Sequence, residues 1–349
     1  QSFLSSINKI LINAPRTLLR EHYRCHPKII QFSNKKFYND ELIIMTEDKG
    51  ENDILKAYIT TKGNHEREHI NQRQIDVIEN EIMSDLTKKV NMTDIGIISP
   101  YKNQTKELQK TFGQKLKIDT VHKFQGREEK AIVITTVDNE IGDFVDNPNM
   151  LNVAVTRAQN YLRLVISNNE KNEGTNTADL LKYIKYNNFE VIESTTKSIY
   201  DLLYKENRKE RLEYLKNKRK ISEYDSENLT YNLIEEVIKE NNYSNIDIAV
   251  HVPLKDILAN INLLNEEELA YIYKTWTHVD FILYNKMDKK VFLAIEVDGY
   301  YYHKEGTEQQ KRDMIKDKIL QKYKIPLLRF STIGSGEKEK LEVKIKNIV

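Results

Sequence analysis

The chain has 349 residues, enough for two domains, and its 39% hydrophobic and 31% charged residues suit packed cores under a polar surface. Lys and Arg number 54 against 53 Asp and Glu; the net charge of +1 excludes a polycation and leaves any nucleic-acid surface to local patches. One cysteine, Cys25, excludes an internal disulfide framework and suits the cytoplasm, and no apolar run approaches the roughly 20 residues of a membrane span.

The N-terminal stretch "QSFLSSINKILINAPRTLL" lacks an initiator Met and the order of a secretory signal, and reads as the continuation of something longer. Beyond it, "DIGIISP" (94–100), "AIVITTV" (131–137) and "YLRLVIS" (161–167) read as buried parallel strands. Helical patterns over 101–112 and 147–159 alternate with them, which predicts a doubly wound α/β layer. The run "YKENRKERLEYLKNKRK" (204–220) carries eight basic and three acidic residues. It is either a solvated connecting helix, the commoner fate of a charge run, or a helix lying along phosphates. Then come a helix over 226–242, strands over 278–285 and 290–300 joined by "KMDK", a helix over 308–323 and a strand over 326–332. That order predicts a second, smaller α/β domain. The chain divides into residues 1–170, a basic helical linker over 171–221, and a second domain over 222–349.

Four strings in the first domain carry recognisable chemistry: "REHYRCHPKIIQFSNKKFY", "DIGIISPYKNQ", "DTVHKFQGREEKAIVITTV" and "LNVAVTRAQNYLRLVIS". In this order they resemble the second RecA-like motor domain of superfamily 1 helicases. Within it they are similar to the branch of the nonsense-mediated-decay RNA helicase and the Okazaki-fragment helicase-nuclease. The resemblance implies that Arg24 and Arg157 bring positive charge to the γ-phosphate of ATP, bidentately, as charge moves in the transition state. It implies that Tyr23, Gly126 and Glu128 border the nucleotide. Ser99, Pro100, Tyr101, Thr120 and His122 would line a track for single-stranded nucleic acid, where backbone and hydroxyl groups hold phosphates in any sequence. Cys25 stands where the family usually has Met, and Gln74 where it usually has an acid. A motor of this kind holds ATP between two RecA-like halves, the other carrying G-x-x-x-x-G-K-[ST]. None of the eleven glycines here precedes Lys. The expectation is that the partner half, an N-terminal RecA-like domain of the same protein, lies outside these residues, and that this chain alone does not hydrolyse ATP.

In the second domain, Asp280 opens one strand and Glu296 and Asp298 lie near the end of the next. In a hairpin those ends adjoin, and period-2 alternation puts Phe292, Ala294, Glu296 and Asp298 on one face. Carboxylates converging there form an oxygen-rich pocket suited to Mg2+ or Mn2+. The string "HVDFIL…VFLAIEVDGYYYH…KRDMIKDKILQKYKIPLLRF" resembles the PD-(D/E)XK nuclease fold, in the bacterial restriction-like branch of the very-short-patch repair endonuclease. Asp298 stands where that fold has Lys. Either Lys316, on the following helix, supplies the positive group, or Asp298 is a third metal ligand; helix facing favours Lys316. Glu227 fits the acid that the first helix of such domains contributes, and His303 is a candidate proton carrier. The combined expectation is a bacterial helicase-nuclease acting on nucleic acid, DNA rather than RNA. Its rival is a motor whose nuclease fold is silent and only grips DNA.

Overall fold

The computed structural model describes residues 7, 9–11, 17, 19–168, 173–274, 277–299 and 308–348; His303 lies outside them. Short β-branched runs form six strands: β1 (Leu55–Ile59), β2 (Ile95–Ser99), β3 (Lys117–Thr120), β4 (Glu129–Thr135), β5 (Ala158–Ile166) and β6 (Glu190–Glu193). They pair in the order β6-β1-β5-β4-β2-β3, every pair parallel. A parallel sheet needs both faces covered. Helices α1 (Pro27–Phe37), α4 (Pro148–Val155) and α5 (Asn176–Tyr186) bury Ile29, Phe32, Leu151, Val155 and Leu180 on one face. On the other lie α2 and α3 (Lys102–Phe112), which contribute Ile75, Ile78, Ile82 and Leu108. Helix α2 begins as Gln72–Val77 and passes through a π-helical turn, Ile78–Ile82, into Met83–Leu86. The layering is that of a RecA-like motor domain.

The helical pattern over 147–159 stops early. Helix α4 ends at Val155, Thr156 returns its hydroxyl to the Asn152 carbonyl (2.8 Å), and the chain is already a strand at Ala158. Arg157 therefore sits on a tight helix-to-strand turn. Residues 176–193, expected within the linker, instead add α5 and the edge strand β6 to the main sheet.

Helices α6 (Arg208–Leu215) and α7 (Asp225–Glu240) lead into a four-stranded sheet, β7-β8-β9-β10. Its strands are β7 (Ile246–Pro253), β8 (His278–Asn285), β9 (Val291–Asp298) and β10 (Leu327–Ser331). The first three pair antiparallel, whereas β10 is parallel to β9 and is reached through a helical crossover. Helix α8 (Glu266–Ile272) precedes β8, α9 (Glu308–Lys322) is that crossover, and α10 (Glu337–Lys346) ends the described chain. Helices α7 and α10 cover one face of this sheet, with Leu233, Ile234 and Leu341 buried; α8 and α9 cover the other, with Ile272, Ile319 and Leu320.

A buried arginine joins the two α/β units. Arg73, 1% exposed at the start of α2, meets Asp201 through Nη1 (2.8 Å) and Nη2 (2.9 Å), and Nη2 also reaches the Gly334 carbonyl (3.2 Å).

Candidate functional site

Arg24 follows a turn pinned from several sides. The Cys25 amide donates to His22 Nε2 (2.9 Å), the His26 amide to the Gln159 carbonyl (2.7 Å), and Thr46 Oγ1 to the Cys25 carbonyl (2.7 Å). His26 caps α1 by accepting from the Lys28 amide at Nδ1 (3.2 Å), so its proton sits on Nε2, facing Asp48 (3.5 Å) and Glu51 (3.4 Å). These three are the one group of three or more such side chains among the described residues spaced to share a metal ion, but a protonated Nε2 has no lone pair to give it.

Arg24 forms an ion pair with Glu128. Arg157, from the turn after α4, donates through Nε to the Val153 carbonyl (3.1 Å) and through Nη1 to that of Arg127 (3.3 Å). Burial, and then the neighbouring Arg24, lower the pKa of Arg157; burial, Arg24 and Arg157 lower that of His22. Two guanidiniums against one carboxylate leave a positive point prepared for an anion. Gly126 turns the intervening loop at φ +81 with open space where a Cβ would sit, so its backbone angle, rather than crowding, calls for glycine. Tyr23 is 65% exposed and donates its hydroxyl to Glu21. Cys25 is buried, its thiol pushed up to about 12, and donates to the Thr156 carbonyl (3.4 Å). Gln74, in place of an acid, donates to Thr136 (3.2 Å) and Ser167 (3.1 Å) while accepting from the Val137 amide (3.0 Å). A carboxylate could not make those two donations.

Ser99 and Thr120 are register partners at the C-terminal ends of β2 and β3, with Pro100, Tyr101 and the exposed His122 beside them. Ser99 Oγ accepts from the Tyr101 amide (3.2 Å), and Tyr101 donates its hydroxyl to Asp138 (3.0 Å). The His69 ring stacks on Tyr101 at 4.2 Å, and Tyr101 on the half-exposed Phe144 at 5.4 Å. Because β3 and β4 run parallel, residues 121–128 carry the chain from this edge of the sheet back to the edge that holds Glu128 and Arg157.

In the second unit, the β8–β9 ladder sets Phe281 against Ile295 and so places Asp280 across from Glu296. Asp280 accepts the Val297 amide at Oδ2 (2.8 Å), and Oδ1 lies 3.6 Å from His278 Nε2. Lys316, 8% exposed on α9, reaches both oxygens of Glu296 (2.9 and 2.8 Å) and the His278 carbonyl (2.8 Å). Burial pushes the Glu296 carboxyl up to about 7 against the pull of Lys316, and burial raises Asp280 as well. Glu227, on the first turn of α7, bonds to His251 Nε2 (2.7 Å). Asp298 instead pairs with Arg329 Nη1 (2.9 Å), which also holds Asp317 through Nη2 (2.7 Å). Asp280, Glu296 and the ammonium that holds both Glu296 oxygens thus meet, buried, at the end of a strand pair.

A family described as an AAA domain matches residues 1–170, and one described as a protein of unknown function (DUF2726) matches residues 220–348. An uncharacterized ATP-dependent helicase of Methanocaldococcus jannaschii, MJ0104, is 28% identical over 193 residues, which cover 48% of this chain and 29% of that protein. The DNA polymerase alpha-associated DNA helicase A of Saccharomyces cerevisiae is 28% identical over 184 residues, 42% of this chain and 27% of the relative. The chain thus spans under a third of each. It carries a superfamily 1 helicase-like region. The solved C-terminal domain of a possible DNA helicase from Lactobacillus plantarum covers 45% of this chain and is itself covered to 96%, at 16% identity and a TM-score of 0.32.

The helicase-like region gathers Arg24, Glu128 and Arg157 at one edge of its sheet and Ser99, Tyr101 and Thr120 at the other. Sequence reasoning did not single out His22, His26, His69 or Phe144. The "HP" before a helical pattern was a readable cap-and-N1 signal for His26. His69 and Phe144 meet Tyr101 only through the fold. No helix among the described residues is long and apolar enough to cross a membrane.

Proposed function

We propose that the chain couples the second RecA-like half of an ATP-driven helicase motor, residues 1–193, through residues 194–221 to a metal-dependent nuclease domain of PD-(D/E)XK type, residues 222–349. The motor moves along single-stranded nucleic acid and the second domain cuts DNA. Arg24 and Arg157 supply charge to the γ-phosphate of an ATP cradled by the phosphate loop of a partner RecA-like half. Tyr23, Gly126 and Glu128 border the nucleotide, and Ser99, Pro100, Tyr101, Thr120 and His122 follow the strand.

The observation that carries the nuclease reading is the buried meeting of Lys316 and Glu296 across from Asp280. An isolated buried acid is costly, and a cluster of this kind is the mark of a site. Asp280 and Glu296 would hold Mg2+ or Mn2+, which when bound activates water and offsets charge on the scissile phosphate. Lys316 offers its ammonium to the attacked phosphate, and Glu227 orients His251 beside them. The pairing of Asp298 with Arg329 supports the lysine over a third carboxylate ligand. The engagement of Lys316 with both oxygens of Glu296 favours one second reading, a silent domain that only grips DNA.

A variant series tests this. Asp280→Ala should abolish both Mn2+ binding by calorimetry and DNA cleavage. Lys316→Ala should slow cleavage while metal binding persists. Asp298→Ala should leave Mn2+ affinity within about twofold, since a lost ligand or its support costs roughly tenfold or more. Unchanged metal binding in Asp280→Ala would remove the proposed site.

A further inference from the structure

Beside the Asp280–Glu296–Lys316 cluster lies a cavity of about 580 Å³, its lining including Lys220, Ser222, Tyr224, Glu227, His251 and His278. Its volume falls within the roughly 300–1,000 Å³ of small-molecule sites.

One wall is held in a strained shape. His251 sits within β7 at φ +50, and the ladder to β8 skips it: Val250 pairs with Phe281 and Val252 with Val279, while the position across from Asp280 is unpaired. A left-handed histidine inside a strand persists only where its surroundings impose it. The distortion accompanies the 2.7 Å bond from the His251 ring to Glu227 and an edge-on approach to the His278 ring at 5.5 Å. His278 in turn faces Asp280, so this wall is continuous with the carboxylate cluster.

The rest of the lining comes from residues 220–224, which are open to solvent and bring one ammonium, Lys220, and one exposed acid, Glu223. Tyr224, just before α7, is 68% exposed, and its backbone amide is tied to Ser222 Oγ (3.1 Å). Lys216, Arg219 and Lys220 are exposed on the approach. Neither the Tyr224 ring nor the Lys220 ammonium has a side-chain partner among the described residues. Of the two acids in the lining, Glu227 is matched by His251, and Glu223 is exposed beside Tyr224.

An exposed aromatic face, an unmatched ammonium and imidazole groups, set beside paired carboxylates, suit a nucleotide better than an apolar ligand or a peptide carboxylate. We infer that this cavity is a single-stranded DNA subsite flanking the scissile position, in which Tyr224 stacks one base and Lys220 meets the neighbouring phosphate. The inference rests on the nuclease reading of Asp280, Glu296 and Lys316. It also gives the basic run 204–220 a phosphate-facing end at Lys220, while its middle is spent on Arg211–Asp225 and Lys218–Glu236 pairs.

Photo-cross-linking of the full chain to an oligothymidylate carrying one 4-thiothymidine tests it, in EDTA so that no strand is cut. The adduct should map to the peptide containing Tyr224. Lys220→Glu should lower its yield about tenfold by reversing a phosphate contact, while Tyr224→Phe and Lys289→Ala, at the far turn of the β8–β9 hairpin, keep it. Adducts confined to the helicase-like region, or an unchanged yield in Lys220→Glu, overturn the subsite. Cleavage measured in parallel with Mn2+ separates the two ideas. An adduct at Tyr224 without cleavage leaves a single-strand contact with no scissile position beside it and removes the nuclease, and cleavage without that adduct keeps the nuclease and removes the subsite.

Discussion

Lys316 and Glu296 form a pair whose cost and use are hard to separate. Burial raises the Glu296 carboxyl from an ordinary 4.5 to about 7. A carboxyl raised on folding contributes stability that is complete below its unfolded pKa and is lost as pH rises through the folded one, here between about 4.5 and 7. Removing the ammonium sharpens this, because a buried carboxylate is left without its counter-charge. Lys316→Met should therefore cost about 3 kcal/mol at pH 8 and clearly less at pH 5, measured by urea unfolding. Equal losses at both values would show that Lys316 acts through packing and not through Glu296. At this scale the facing of Asp280, Glu296 and Lys316 was legible, since strand and helix periods fix which side chains share a side. His251 and Tyr224 were not. One is marked by a backbone angle of +50 and the other by a cavity wall, and neither leaves a trace in residue spacing.

Among the elements, the clearest β-branched runs announced β2, β4, β5, β8 and β9, and α7 and α9 were close to their expected bounds. Strands β1, β6 and β7 carry polar residues that hide them. Lys56 interrupts β1 and is tolerated because its ammonium reaches Glu190 (2.7 Å) on the neighbouring edge strand. The strand β6 is four residues that begin and end in Glu, and β7 is broken at His251. The junction between the two units depends on a neutral histidine. His65 accepts from Tyr204 at Nδ1 (3.1 Å), donates to the Thr61 carbonyl from Nε2 (3.2 Å), and is lowered to about 4 by burial and then by Arg73. A depressed histidine contributes stability that is complete above its ordinary 6.5 and is lost as pH falls through about 4. That shift is worth up to about 3 kcal/mol, so thermal midpoints should drop between pH 6.5 and 4, and His65→Gln should flatten the slope. An identical slope in the variant would assign the acid sensitivity elsewhere.

For the whole molecule, the proposed division of labour rests on two arginines and one carboxylate cluster at separate sites. Gly-Lys of the phosphate-cradling loop is absent from the sequence. The purified 349-residue chain should accordingly show no nucleic-acid-stimulated phosphate release. In a motor completed by a phosphate-loop half, Arg157→Ala should lower turnover by roughly 10³-fold, the worth of such an arginine. Steady ATP turnover by the chain alone would contradict the shared-site account. The central claim, that the second domain cuts DNA, has the most direct test. Wild-type chain and Glu296→Gln are incubated with Mn2+ and end-labelled single-stranded, duplex and flapped DNA, and the products are resolved on denaturing gels. The account predicts metal-dependent fragments from at least one substrate with the wild type and none with Glu296→Gln. Intact DNA in every lane, or equal cleavage by the two proteins, would contradict it.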